Sequence, residues 1–225
     1  RLVGVEQPRP LGAGAPRVVA ARLGAHQRVL VQDGRRADPQ LQREGAERLA
    51  NEAVHADRQV QIVECGGHDL LLPLTRSEDN DVQRLSAHAL ANLSVNADNQ
   101  VLMAEQGGIK MMVRLLEAPN ELTQRQAAKA IANMSVTVSN KRKVVQEGAT
   151  PGLVGLLNSD NLAVQIEGLA ALANLAVDHE NELEIVRQGG LGPIMSVLRN
   201  ANSLLLGYGM VGDTVVAEHL GEIQA

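Results

Sequence analysis

From Leu41 onward, apolar residues recur every three to four positions, the spacing of an amphipathic helix, and the helical stretches themselves recur in a fixed order. In the clearest unit this pattern predicts a short helix over Asp98 to Gln106. A medium helix over Ile109 to Glu117 follows, with Ile109, Met112, Val113 and Leu116 on one face, and then a long helix over Glu121 to Val136 with Ala127, Ala130, Ile131 and Met134 turned inward. Asp98 is the expected N-cap of the short helix. Gly107-Gly108 ends it, because only Gly enters the left-handed conformation without steric cost, and Pro119-Asn120 turns the chain before the long helix.

The unit is copied along the chain. Ala87-His88-Ala89-Leu90-Ala91-Asn92-Leu93 returns as Ala128-Lys129-Ala130-Ile131-Ala132-Asn133-Met134 and as Leu169-Ala170-Ala171-Leu172-Ala173-Asn174-Leu175, with the asparagines 41 residues apart. The same step leads back to Asn51 and links Gly66, Gly107, Gly148 and Gly189. Two independent markers with one period identify a repeat protein. Further helices are expected over Lys141 to Glu147, Thr150 to Asn158, Asn161 to Val177, His179 to Gln188 and Leu191 to Arg199. Ala at 87, 89, 91, 128, 130, 132, 171 and 173 keeps the long helices thin enough for neighbours to approach closely.

The pattern fades at both ends. Residues 1–40 carry Pro8, Pro10, Pro16, Pro39 and Gly-Ala runs, read as an irregular or decayed lead-in. One further step from Asn174 lands on Val215 without the motif, and Gly207, Gly209 and Gly212 interrupt the place of the next long helix. The expected organisation is a lead-in at 1–40, a repeat array at 41–199 and an atypical terminal segment or cap at 200–225.

Composition narrows the function. Tyr208 is the only aromatic residue, so the core is built from Leu, Val, Ile, Ala and Met, which suits closely packed helices better than a sandwich or an enzyme pocket. One cysteine, Cys65, excludes an intramolecular disulfide framework, and no apolar run is long enough for a membrane span. With a first residue of Arg and no secretory pattern, the chain is expected to be a fragment from a reducing, cytoplasmic setting, with cytoskeleton or nucleus as further settings. The net charge of -5 argues against nucleic acid as the partner, since phosphate binding calls for a basic stripe.

Three helices per unit, a Gly between the first two and an Ala-Leu-x-Asn-Leu signature in the third resemble an armadillo repeat over residues 41–199. Within that family, Asp98-Asn99-Gln100 followed by Gln106-Gly107-Gly108-Ile109 is similar to the repeats in the tails of kinesin-like proteins, which implies a tail domain recruiting cargo or cytoskeletal partners as the alternative function. The resemblance implies an all-α fold, a right-handed superhelical solenoid of three-helix repeats. Its third helices would line a concave groove, and the signature Asn side chains would hold the backbone of an extended peptide there. Carried over by position, those residues are Asn51, Asn92, Asn133 and Asn174. An Asn amide offers both a donor and an acceptor, as a peptide group does. The alternative is that these amides serve contacts between the helices themselves. Nuclear-import adaptors of the family place Trp four residues before the Asn. Here Glu47, His88, Lys129 and Ala170 stand there, so a receptor for basic localisation signals is not expected.

Steps of four back from each Asn follow one helix face. They give Arg43, Glu47, Asn51; Arg84, His88, Asn92; Arg125, Lys129, Asn133; and Ile166, Ala170, Asn174. Arg recurs in three consecutive units of a chain that is otherwise acidic. The peptide-binding set is therefore read as Asn51, Arg84, His88, Asn92, Arg125, Lys129, Asn133 and Asn174, with an acidic extended segment as partner and Arg84, Arg125 and Lys129 supplying charge-assisted contacts. A solvated helix face is the plainer reading of the same residues.

No catalytic set emerges. Gly207-Tyr208-Gly209-Met210-Val211-Gly212 fits a G-x-G-x-x-G spacing, but the strand and acid that a dinucleotide site needs do not follow it, so a nucleotide-binding enzyme is a minor alternative. The six histidines are scattered, Cys65 has no metal-spaced partner, and Glu78-Asp79-Asn80-Asp81 reads as a turn with an N-cap rather than a calcium loop. No cofactor or metal is expected.

Overall fold

The computed structural model describes residues 38–207, with side chains described to residue 200. The described residues form twelve helices and no strand. They are α1 (Pro39–Glu52), α2 (Ala56–Glu64), α3 (Gly67–Leu74), α4 (Asn80–Leu93), α5 (Ala97–Glu105), α6 (Gly108–Leu115), α7 (Glu121–Met134), α8 (Val138–Gln146), α9 (Ala149–Leu156), α10 (Leu162–Ala176), α11 (His179–Arg187) and α12 (Leu191–Gly207). Three units of short, medium and long helix, α2 to α4, α5 to α7 and α8 to α10, follow a lone long helix α1 and precede a partial unit, α11 and α12. Of the Gly-rich stretch only Gly207, the last residue of α12, is described; residues 208–212 and most of the lead-in lie outside the described residues.

Local chemistry explains the punctuation. The long helices start one period apart at Asp38, Asp79, Asn120 and Asn161, whose side chains accept from backbone N–H groups of the first turn; Asn120 Oδ1, for example, takes Leu122 N at 2.9 Å. These caps satisfy donors that a helix start leaves open. Pro39, read from the sequence as a breaker, occupies the first turn of α1 behind Asp38, where its missing N–H costs nothing. The cap of α5 is Asn96 rather than Asp98: Asn96 Oδ1 accepts from Asp98 N at 3.0 Å and Asn99 N at 3.1 Å. Each short helix ends at a Gly with positive φ, from 74° at Gly189 to 84° at Gly107.

One side chain per helix type anchors the core at a fixed place in the unit. Leu49, Leu90, Ile131 and Leu172 do so for the long helices, Ile62, Met103, Val144 and Ile185 for the short ones, and Leu71, Met112 and Leu153 for the medium ones; all are buried. Full burial of such a side chain contributes about 1.5–3 kcal/mol. The long helices stack in sequence, α1 on α4, α4 on α7 and α7 on α10, and each medium helix packs on the long helix of its own unit. Ala87, Ala89, Ala128 and Ala130 are fully buried in that stack, which permits the close approach. The result is an all-helical solenoid with one continuous core.

Candidate functional site

The signature asparagines form a ladder between units. Asn92 Nδ2 donates to the Ala50 carbonyl at 3.1 Å, Asn133 Nδ2 to the Ala91 carbonyl at 3.2 Å and Asn174 Nδ2 to the Ala132 carbonyl at 2.9 Å. Each acceptor lies in the last turn of the preceding long helix, where carbonyls have no backbone partner further along, and the Ala91 carbonyl also accepts from Ser94 Oγ at 2.7 Å. Asn133 also donates to Ser94 Oγ at 3.0 Å. The three amides thus repeat one geometry, but their donors are directed at the previous unit. Asn92 is only 6% exposed, whereas Asn133 and Asn174 are half-buried and Asn51, on the first described long helix, is exposed. What the row offers a ligand is chiefly its Oδ1 acceptors, since at Asn133 both amide hydrogens are already engaged. At Asn92 the Oδ1 already accepts from Lys129 Nζ at 3.4 Å.

Arg84, His88, Arg125 and Lys129 are brought together on adjacent helices α4 and α7. The His88 imidazole is held below its ordinary value, first by partial burial and then by the positive charges of Lys129, Arg84 and Arg125. Three cations gathered around one imidazole make this a locally positive part of the row.

The column of arginines is nevertheless less naked than its sequence suggests. Arg43 pairs with Asp79 at 2.6 Å, and that carboxyl is held below its usual range first by the Val82 N–H, then by Arg43 and the Asp81 N–H. Arg84 pairs with Asp81 of its own helix at 3.3 Å, and Arg125 reaches Glu167 of the next long helix at 3.6 Å. Sequence reasoning missed these acids. The signal was available, since Asp79 and Glu167 stand 36 and 42 residues beyond Arg43 and Arg125, close to one period.

A second polar ladder also went unread. Asn99 Nδ2 donates to Leu93 O and, across the unit boundary, to Gln59 O; Asn140 does the same to Met134 O and Gln100 O; Asn181 bonds Leu175 O. These buried asparagines recur with the array's period and tie each short helix to its neighbours, as Gln59 and Gln100 also do through Ala53 O and Ser94 O.

Other chemistry is sparse. The Cys65 thiol is half-buried, donates toward Gln61 O, and is pushed up to about 11 by burial. Among the described residues no cluster of three potential metal ligands occurs, and no helix is long and apolar enough to cross a membrane. An open cleft of about 380 Å³ lies between α6, the start of α7 and α9, with Leu116, Gln124 and Gly152 in its wall, and shares no residue with the asparagine row.

Comparison with known proteins gives one consistent picture. The model of the family described as Armadillo-like matches residues 35–202. Among solved structures, an engineered protein is 32% identical, with a TM-score of 0.72 over 76% of this chain and 70% of that one. Computationally designed armadillo repeat proteins for modular peptide recognition are 26% identical, with a TM-score of 0.70 over 73% of this chain and 71% of theirs. A designed armadillo repeat protein in complex with the peptide (KR)4 is 24% identical, with a TM-score of 0.74 over 86% of each chain. No curated protein matches the chain.

Proposed function

Because the chain belongs to the armadillo-like family, whose repeat fold is typically a protein-binding scaffold, we propose that it is a non-enzymatic scaffold binding an extended acidic peptide segment along its stacked long helices. Arg84, His88, Arg125 and Lys129 on α4 and α7 carry this reading. Arg84, Arg125 and Lys129 surround one half-buried imidazole, so an incoming carboxylate meets gathered positive charge and gains charge-assisted hydrogen bonds. Asn133 and Asn174 retain Oδ1 acceptors for a peptide N–H, and exposed Asn51 extends the row. Related designed proteins were made for peptide recognition, and one of them holds a basic peptide. The positive row here favours the opposite charge.

Binding of an acidic and a basic ten-residue peptide of equal length, measured by fluorescence anisotropy on the wild-type chain and on Arg125→Glu, tests the proposal. It expects the acidic peptide to bind more tightly and the variant to lose that preference. Equal affinities unaltered by the substitution would remove it.

A further inference from the structure

The same row changes chemistry toward its far end. On α4 and α7 its positions hold Arg84, His88, Arg125 and Lys129. On α10 the equivalent positions hold Ile166 and Ala170, and Leu162 stands one turn earlier. Ile166 is 53% exposed and Leu162 is 42% exposed, which is unusual for large aliphatic side chains on a helix whose opposite face, Val164, Leu172 and Leu175, is buried.

The equivalent places inside the array share part of this exposure. The positions equivalent to Ile166 are Arg43, Arg84 and Arg125, and their side chains keep 38%, 30% and 39% exposure although each carries a following long helix. The place is therefore half-open within the array, where Asp79 and Glu167 of the following long helix cover part of Arg43 and Arg125, and the positions equivalent to Leu162, namely Pro39, Asn80 and Glu121, are exposed in every unit. Ala173 differs: it too is exposed, but its equivalents Ala91 and Ala132 are buried under the next helix, so it belongs to the stacking face.

Resting on the acidic-peptide reading above, we infer that the ligand is bipartite: an extended segment whose acidic half sits against Arg84, Arg125 and Lys129 and whose aliphatic half sits against Leu162 and Ile166. Charge complementarity fixes the first half. Continuity of the row fixes the second, since a chain laid over α4 and α7 reaches α10 next. Two interaxial steps of roughly 8–10 Å are covered by about five or six extended residues, so one short segment meets both regions. Desolvation of an aliphatic side chain adds affinity without a competing charge, and Glu167 beside Ile166 is already engaged by Arg125.

The test uses the full chain and four labelled ten-residue peptides: acidic followed by Leu, Leu followed by acidic, and both with Ser in place of Leu. One order of the Leu peptides is expected to bind at least about tenfold tighter than its Ser counterpart, and Ile166→Ser is expected to abolish that gain while leaving the Ser peptide unchanged. Ile166 is exposed, so the variant keeps its fold; an unchanged circular dichroism melt verifies this. If Leu and Ser peptides bind alike in both orders while the acidic preference and its loss in Arg125→Glu persist, the bipartite ligand is wrong and the acidic groove stands. Loss of all charge preference removes both. If Ile166→Ser alters self-association in light scattering and not peptide affinity, the aliphatic patch belongs to a second copy and the inference is overturned.

Discussion

The side-chain amide of Asn133 donates to the carbonyl of Ala91, one full unit earlier, at 3.2 Å, and Asn92 does the same to Ala50 at 3.1 Å. The residue that defines the repeat in sequence is therefore also a cap for the preceding helix. Whatever it presents to a ligand is added to that duty.

Stability separates the two duties. Asn92→Ala leaves the Ala50 carbonyl without its donor in a buried setting and is expected to cost about 1–3 kcal/mol, whereas Asn51→Ala, at an exposed place, should stay within about 0.5 kcal/mol of wild type. Urea midpoints of the two variants are the check. Equal losses would mean that the ladder bond contributes nothing beyond helix propensity.

The left-handed glycines make a backbone prediction. At Gly107 φ is 84° and a Cβ would meet nothing within 4 Å, so the cost of Gly107→Ala is conformational alone, about 1–2 kcal/mol. Gly107→Asn should cost less, because Asn tolerates this region. Thermal melts of the pair should rank Gly above Asn above Ala.

His88 gives the pH dependence. Its folded value lies below the unfolded value of about 6.5, so the unfolded chain takes up the proton first. The stability attached to neutral His88 is complete above about pH 6.5 and declines as pH falls through that value toward the folded one. His88→Gln should flatten this part of the profile in urea unfolding between pH 7.5 and 5.5. An acidic peptide bound at Arg84 and Lys129 should raise the His88 value, read by the shift of its ring signals in an NMR titration.

At the other end of the scale, Asp79 has its folded value depressed by the Val82 and Asp81 N–H groups and by Arg43. Its contribution is present above the unfolded value of about 3.9 and is lost as pH falls through the folded one. Arg43→Ala should move that acid limb of the stability curve to higher pH, measured by circular dichroism at fixed urea.

Much of the architecture was legible in the sequence because its markers are local. Gly107 stops a helix and the spacing of Ile109, Met112 and Val113 faces one side whatever the neighbours do. The cap at Asn96 was missed in favour of Asp98 because both residues are good caps and only the path of the chain decides between them. The partners of Arg43 and Arg125 were missed for a different reason: they sit on the adjoining unit, and the offset between stacked helices must be known before an acid 36 or 42 residues away becomes a neighbour. The role of Asn92 was divided between two readings because its amide serves a helix end and a peptide backbone with the same atoms. Burial and the position of the Ala50 carbonyl show where its donor goes, and those belong to the packed chain.

Every rung of the asparagine ladder runs backwards, from a later long helix to the end of an earlier one. Any stretch one period long thus brings both halves of a joint with it, a donor for what stands before and an acceptor for what comes after. Tandem duplication or loss of such a cassette leaves matched surfaces at the seam, so the length of the array can change without inventing a new interface.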